Sequence, residues 1–251
     1  MKLIADLHTH TNYSAHAVNT ITEMINHAVK LGFKAVALTD HSPSMPDSGH
    51  IWHFGNGDDI PPVVDGTLVL YGCEVDVMTV DGDMDLPESY IKKLDWVIAS
   101  LHKRFVPKLS FDEATQLWLN VAKNPYVDMI GHCEQVDHEF DLDKVIPAFV
   151  ENHKVVEFNG NSAAARPGGE KNMLELAKAC KKYGCKVAIN SDAHSIYKMG
   201  KISGVYEILE SIDFPQNLII NNDFERLMEE IKLHNKPIIK KLTEYLTEYK
   251  D

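Results

Sequence analysis

The chain has 251 residues, 44% of them hydrophobic, which is enough apolar material for one large core or two modest ones. Its 37 Asp and Glu outweigh 25 Lys and Arg to give a net charge of −12, which argues against broad attraction to nucleic acid or an anionic membrane surface. Any anionic substrate must then meet local positive charge, from metal ions or from a few Lys and Arg.

Four cysteines, Cys73, Cys133, Cys180 and Cys185, show no C-x-x-C spacing, so reduced thiols are expected. The opening M-K-L-I-A-D-L-H lacks the apolar centre of a secretory signal, and no apolar run reaches the roughly 18 residues of a membrane span. The composition therefore predicts a soluble, cytoplasmic protein.

In chain order, L-I-A-D-L near residues 3–7 reads as a strand, and Thr22–Leu31 reads as a helix with Gly32 placed for its C-cap. A-V-A-L at 35–38 is the second strand. The segment 42–66 is too long and too rich in Pro and Gly for an ordinary connection, and its histidines and tryptophan favour a functional loop. Further strands are expected at 68–72, 96–101, 127–130, 155–158 and 187–189. Helical periodicity marks Phe111–Val121, Leu142–Asn152, Lys171–Tyr183 and Val205–Glu210, then 223–233 and 237–249. Gly184 sits where another C-cap would fall. This repeated βα grammar predicts one domain over 1–251, built on a mainly parallel sheet closed or nearly closed into a barrel.

Polar residues gather where the strands end. His8 and His10 follow the first strand, with His16 in the loop beyond. Asp40 and His41 follow the second, Glu74 the third, His102 the fourth and His132 the fifth, and the last runs into Asp192 and His194. The C-terminal strand ends of barrels and open α/β sheets converge on one face, where active sites lie. Alternation along a strand lets His8 pair with His10 and Asp192 with His194. A lone His-x-His means little; the set along one rim points to metal. Seven imidazoles and two carboxylates exceed the needs of one ion, so two or three metals are implied, and Glu74 is the natural bridge. Imidazole-rich shells suit Zn, Fe or Mn better than Mg or Ca. Cys133 adjoins His132 but is expected to point the other way. His27, His138, His153 and His234 lie away from strand ends and read as surface or helix residues.

Together H-T-H at 8–10, His16, T-D-H at 39–41, Glu74, His102, His132 and D-A-H at 192–194 resemble the PHP (polymerase and histidinol phosphatase) family. The H-x-W-H-F stretch at 50–54, and N-G at 159–160 before Arg166, are similar to its YcdX-type phosphatase branch. The resemblance implies a distorted (β/α)7 barrel, TIM-barrel-like, with the active site at the C-terminal strand ends. It also implies a trinuclear centre of three divalent ions, zinc first, with Mn or Fe as alternatives. On that pattern His8, His10, Glu74 and Asp192 bind the first ion and Glu74, His102 and His132 the second. His16, His41 and His194 bind the third.

The expected activity is hydrolysis of a small phosphomonoester by a metal-activated hydroxide, a phosphatase reaction on a phosphorylated metabolite. Asp40 is expected to orient the site or pass a proton to the leaving group, with a strand-end cap as the bland alternative. Arg166 could fork two hydrogen bonds to a phosphate, while His50, Trp52 and His53 could line or cover the pocket, or Trp52 anchor its loop. Three other readings compete: a PHP-type exonuclease or phosphodiesterase, a two-metal amidohydrolase, and a catalytically silent metal-binding protein. The acidic balance disfavours a nucleic acid substrate, and a homo-oligomer stays open.

Overall fold

The computed structural model describes residues 2–106, 108–134, 138–165, 169–202 and 204–248. Strand β1 (Ala5–Thr9) leads through helix α1 (Ile21–Leu31) to β2 (Ala35–Leu38). The short β3 (Val63–Val64) turns back into the long β4 (Thr67–Asp76), and the brief α2 (Glu88–Ile91) precedes β5 (Trp96–Ser100). Then follow α3 (Phe111–Ala122), β6 (Met129–Ile130), α4 (Leu142–Glu151), β7 (Val155–Asn159), α5 (Gly160–Ala165), α6 (Gly169–Tyr183), β8 (Val187–Asn190) and α7 (Val205–Ser211). Helices α8 (Phe224–Leu233) and α9 (Pro237–Glu248) end the fold.

Strands pair in parallel in the order β1-β2-β4-β5-β6-β7-β8, with β3 antiparallel on β4. This is the expected distorted (β/α)7 barrel. Each parallel strand is buried along its length, as a sheet covered on both faces requires. Closure between β8 and β1 is partial: His10 N donates to Ala193 O at 2.9 Å, and Leu7 N to the Asn190 side chain at 2.9 Å. Side-chain and bridge contacts there replace a continuous ladder.

Helices α1, α3, α4 and α8 begin where the sequence supplies side-chain caps, Thr20, Ser110, Asp141 and Asp223. Thr20 and Glu23 form a reciprocal capping box on α1, and Gly32 ends the helix at a φ of 74° that only glycine adopts without cost.

Inside the barrel the residues form layers. Ala5, Leu7, Leu70, Trp96, Ile98 and Met129 fill the lower layer, and Ile220, Leu227, Ile231 and Ile238 from the C-terminal segment plug it from below. Side-chain alternation then raises a polar layer on the same inner face. Beyond Leu68 and Leu70 comes Glu74, beyond Trp96 and Ile98 comes His102, and beyond Val155 comes Glu157. Strand β1 breaks this rule. Its register against β2 shifts between Asp6 and Thr9, so His8, next to the inward Leu7, turns to the same centre.

The 42–66 segment folds into two short 3-10 turns and the β3 hairpin. Trp52 does not anchor it, being 70% exposed; Phe54, 1% exposed, fills that place.

One of the histidines set aside as surface or helix residues, His138, is buried instead, and another, His234, is a helix-end residue whose side chain turns inward. His138 is enclosed, and His234, at the C-cap of α8, places Nδ1 3.1 Å from Asp128 Oδ1. Asp128 is wholly buried at the lower end of β6, where its Oδ2 accepts from Val97 N at 2.7 Å and lies 2.6 Å from Lys236 Nζ. Lys236 leads into α9, so this cluster ties the plug to the barrel floor. Burial lowers nearby Lys154 to about 8, against the pull of Asp128. Removing one member leaves the others charged and enclosed, which costs about 3–5 kcal/mol. Asp128→Ala is expected to lower the melting temperature by roughly 10 °C for a domain of this size. A shift of under about 2 °C in thermal unfolding would show that the cluster is dispensable.

Candidate metal centre at the strand ends

Glu74 lies near the C-terminal end of β4, 1% exposed, with an imidazole cluster around both carboxylate oxygens. Its Oε2 is 2.9 Å from His41 Nδ1, 3.5 Å from His8 Nε2 and 3.6 Å from His10 Nε2. Its Oε1 is 2.9 Å from His132 Nε2 and 3.7 Å from His102 Nε2. Asp192 adds a second carboxylate, with Oδ1 3.2 Å from His10 Nε2 and 3.7 Å from His8 Nε2. The rings of His194 and His16 stack with centroids 4.1 Å apart, and His194 in turn stacks on His10 at 4.2 Å.

The nine residues expected at the rim therefore come together across some 190 positions of sequence. Four overlapping sets have donor atoms within 4.8 Å of one another: His8, His10 and Glu74; His41, Glu74 and His102; His10, His41 and His194; and His16, His41 and Asp47.

This donor set fits divalent ions. Ligand bonds of about 2.0–2.2 Å in a tetrahedron place neighbouring donors about 3.3–3.6 Å apart, and the contacts of His8 and His10 with Glu74 and Asp192, at 3.2–3.7 Å, lie close to that spacing. His8 Nε2, both nitrogens of His10, His41 Nδ1 and His194 Nε2 are buried without a well-aligned hydrogen bond. A buried polar atom left so is costly unless something else binds it.

Other ring nitrogens are held by carboxylates that the sequence reading had not picked out. His8 Nδ1 is 2.7 Å from Glu157 Oε1, His102 Nδ1 is 2.5 Å from Asp76 Oδ1, and His16 Nδ1 is 2.5 Å from Asp47 Oδ2. Such contacts fix the ring and aim the opposite nitrogen at the centre. Glu157 also accepts from His132 N at 2.9 Å and from the Asn190 amide at 3.0 Å. A glutamate within the apolar run V-V-E-F was a legible signal, as was Asp76 two residues beyond Glu74 on the same face. Asp47 lies in an irregular loop and gave none.

The Asp192 and His194 pair forms by a route other than strand alternation. β8 stops at Asn190, and Asp192 takes a left-handed φ of 53°, as His132 does at 29°. Non-glycine residues there cost roughly 1–3 kcal/mol, less for Asp, and persist where the surroundings fix them. Asp6, outside the ligand set, helps to do so. It accepts from Ser191 N and Oγ at 3.2 and 2.5 Å and from Gly200 N at 3.0 Å, holding the loop that carries Asp192 and His194.

Asp40, 1% exposed, accepts four hydrogen bonds: Thr11 N and Oγ1 at 2.7 Å each, Ser14 Oγ at 2.8 Å and His53 Nε2 at 3.2 Å. The His53 ring stacks on Tyr13 with centroids 3.5 Å apart. His50 is exposed, with Nδ1 accepting from Trp52 N at 3.3 Å. Cys133 packs into the apolar cluster outside the barrel, and burial pushes its thiol well up. Arg166 lies outside the described residues.

Residues 6–239 match the family model described as the PHP domain, and the chain belongs to that family. It is similar to proteins named "probable phosphatase" from Acetivibrio thermocellus, at 39% identity over 96% of this chain and 100% of the relative, and from Clostridium novyi, at 40% over 94% and 97%. Among solved structures, a histidinol phosphate phosphatase from Lactococcus lactis, complexed with zinc, L-histidinol and phosphate, shares the fold. Its TM-score is 0.62 at 18% identity, covering 84% of this chain and 94% of that one.

Charge balance in the cluster generates a pH dependence. Burial opposes ionisation of Glu74, but His8, His41, His102 and the bond to His132 hold its carboxyl well below the usual range. Burial likewise opposes charge on His8, His41 and His102, yet the facing carboxylates raise all three, His41 to about 9. Burial and then the neighbouring His41 push His10 down to about 3.

Without metal, the three raised imidazoles bind protons more tightly in the folded than in the unfolded chain. Their stabilisation is fully present below the unfolded value near 6.5 and is lost as pH rises towards 9. Metal binding needs those protons removed, so its affinity runs the other way. The melting temperature of chelator-treated protein is expected to fall between pH 6.5 and 8, while that of zinc-loaded protein holds or rises. Parallel trends in differential scanning fluorimetry would sink this account.

Proposed function

We propose that the chain is a metal-dependent phosphatase that hydrolyses small phosphomonoesters at a centre of three divalent ions, zinc foremost. The observation that carries this reading is Glu74, whose two oxygens face two separate groups of imidazoles, Oε2 toward His8, His10 and His41 and Oε1 toward His102 and His132. A carboxylate so placed suits a bridge between two ions. The relatives named as phosphatases support the reaction class.

His8, His10, Glu74 and Asp192 would hold one ion, Glu74, His102 and His132 a second, and His16, His41 and His194 a third. Bound there, the ions supply Lewis acidity for water attack at neutral pH and for the charge that develops on the phosphoryl oxygens. The chain's own residues set the geometry. Glu157, Asp76 and Asp47 keep His8, His102 and His16 in one tautomer and orientation. The buried floor of Trp96, Ile98 and Met129 keeps water to the open side of the rim.

Asp40 acts by orientation in this scheme. Its four accepted hydrogen bonds fix the loop from Thr11 to Ser14, and Ser14 Oγ in turn accepts from His41 N at 3.1 Å. The carboxylate thereby couples the His16 loop to His41, and His53 completes its shell.

Replacing Glu74 by Ala is expected to remove bound ions and phosphatase activity together. The checks are metal content by mass spectrometry and turnover of p-nitrophenyl phosphate. Full activity with fewer ions would defeat the mechanism. A single-stranded oligonucleotide run in parallel tests the exonuclease alternative, since preferential cleavage of the oligonucleotide would replace the phosphomonoester reading.

Asp40→Asn is expected to behave differently. It keeps the ions but weakens the bonds from Thr11, Ser14 and His53, and turnover falls about 10- to 100-fold. An unchanged rate would return Asp40 to a plain strand-end cap.

A further inference from the structure

Two lysines beyond His194 have no part in the chemistry above. The turn that carries them is tightly made: Lys198 N donates to Ser195 O at 2.9 Å, and Lys201 N to Lys198 O at 3.0 Å. It is fastened at two points, by Ile196 N to Asn19 Oδ1 at 3.0 Å and by Gly200 N to Asp6 Oδ2 at 3.0 Å. Gly200 has a φ of 71°, and a Cβ there would come within 2.9 Å of the Phe33 ring, so the turn admits no other residue without displacement. Both lysines thus leave a fixed backbone.

With His16, Asn161, Asp192 and His194 they line a cleft of about 360 Å³. That is about a dozen water volumes, at the small end of metabolite sites. Neither lysine is paired with a carboxylate among the described residues. Such pairing would be easy to supply in a chain of net charge −12. Both lysines are exposed, and on a fixed turn beside three candidate ligands their ammonium groups are placed to meet an anion that enters the cleft.

The phosphoryl group itself belongs against Glu74 and its imidazoles. Glu74 is 1% exposed and is not among the residues that line the cleft, whereas Asp192, which shares its imidazoles, is. A molecule that meets both places extends along the cleft and carries negative charge at both ends.

We propose that Lys198 and Lys201 bind a second anionic group, a carboxylate or a further phosphate, on the leaving-group side of the substrate. The substrate class is then small phosphomonoesters with two negative groups, an inference that rests on the phosphomonoesterase reading above.

Calorimetry on the zinc-loaded full chain tests it without turnover. Methylphosphonate and 3-phosphonopropionate share the phosphonate and differ by a carboxylate, and propane-1,3-bisphosphonate replaces that carboxylate with a second phosphonate. The wild type is expected to bind at least one of the two-headed ligands about 10-fold or more tighter than methylphosphonate, the scale of a charged hydrogen bond. The tighter of the two names the second group. Lys198→Ala/Lys201→Ala is expected to abolish that preference, and Lys198→Arg/Lys201→Arg to keep it.

Equal affinities in the wild type overturn the inference. So does a double alanine variant that weakens all three ligands alike, because the lysines would then hold the phosphonate common to them. If no phosphonate binds the zinc-loaded wild type, the phosphatase reading fails first and this inference with it.

Discussion

A buried carboxylate needs compensating charge, and Glu74 sets that requirement for the molecule. It lies inside the barrel mouth, where leaving an isolated anion would cost several kcal/mol even after relaxation. Five imidazoles from four other strand ends come within 3.7 Å of it. Burial and then the charge on His41 drive His10 toward its neutral form, while Glu74 holds His41 in its protonated one against the cost of burial. A proton on some rings is the weaker solution to this problem. Divalent cations at the centre would satisfy the carboxylates and leave every imidazole neutral, the state in which it can ligate.

The barrel exists in a form that serves this cluster. Seven parallel strands bring their C-terminal ends to one ring, and a second tier of Glu157, Asp76 and Asp47 fixes three of the inner rings. Glu157 does more than its neighbours. One side chain orients His8, braces the backbone of His132 at its left-handed φ and receives the Asn190 amide. At the opposite end, Asp128 and Lys236 fasten the C-terminal plug. The two ends thus divide the work, with stability concentrated at the floor and chemistry at the rim, as the fold's layered interior allows.

Much of this was legible in the sequence because strand ends are abrupt. An apolar run that stops at His, Asp or Glu leaves few options other than a ligand or a cap, and repetition along the chain decides between them. The strands at 35–38 and 96–101 and the helices from Thr22, Phe111 and Leu142 were readable for the same reason, since periodicity reports burial directly. What stayed hidden depends on contacts that periodicity does not record. The register shift in β1 that turns His8 inward, the left-handed turn at Asp192 and the reach of Asp47 to His16 are set by tertiary neighbours. The inward turn of the His234 side chain was hidden for a related reason. At a helix end it looked like a surface residue, and only the plug's position against Asp128 encloses it.

The acidic surface and the cationic cleft work together through distance. Screening at physiological salt confines a charge's reach to about 8 Å, so an approaching anion senses mostly the charges nearest to it. A long polyanion is repelled by the chain's net negative charge over its whole length. A small dianion can enter a 360 Å³ cleft flanked by Lys198 and Lys201, where the local field opposes the global one. The net charge of −12 and two unpaired lysines are therefore compatible, and their combination selects by size as well as by charge.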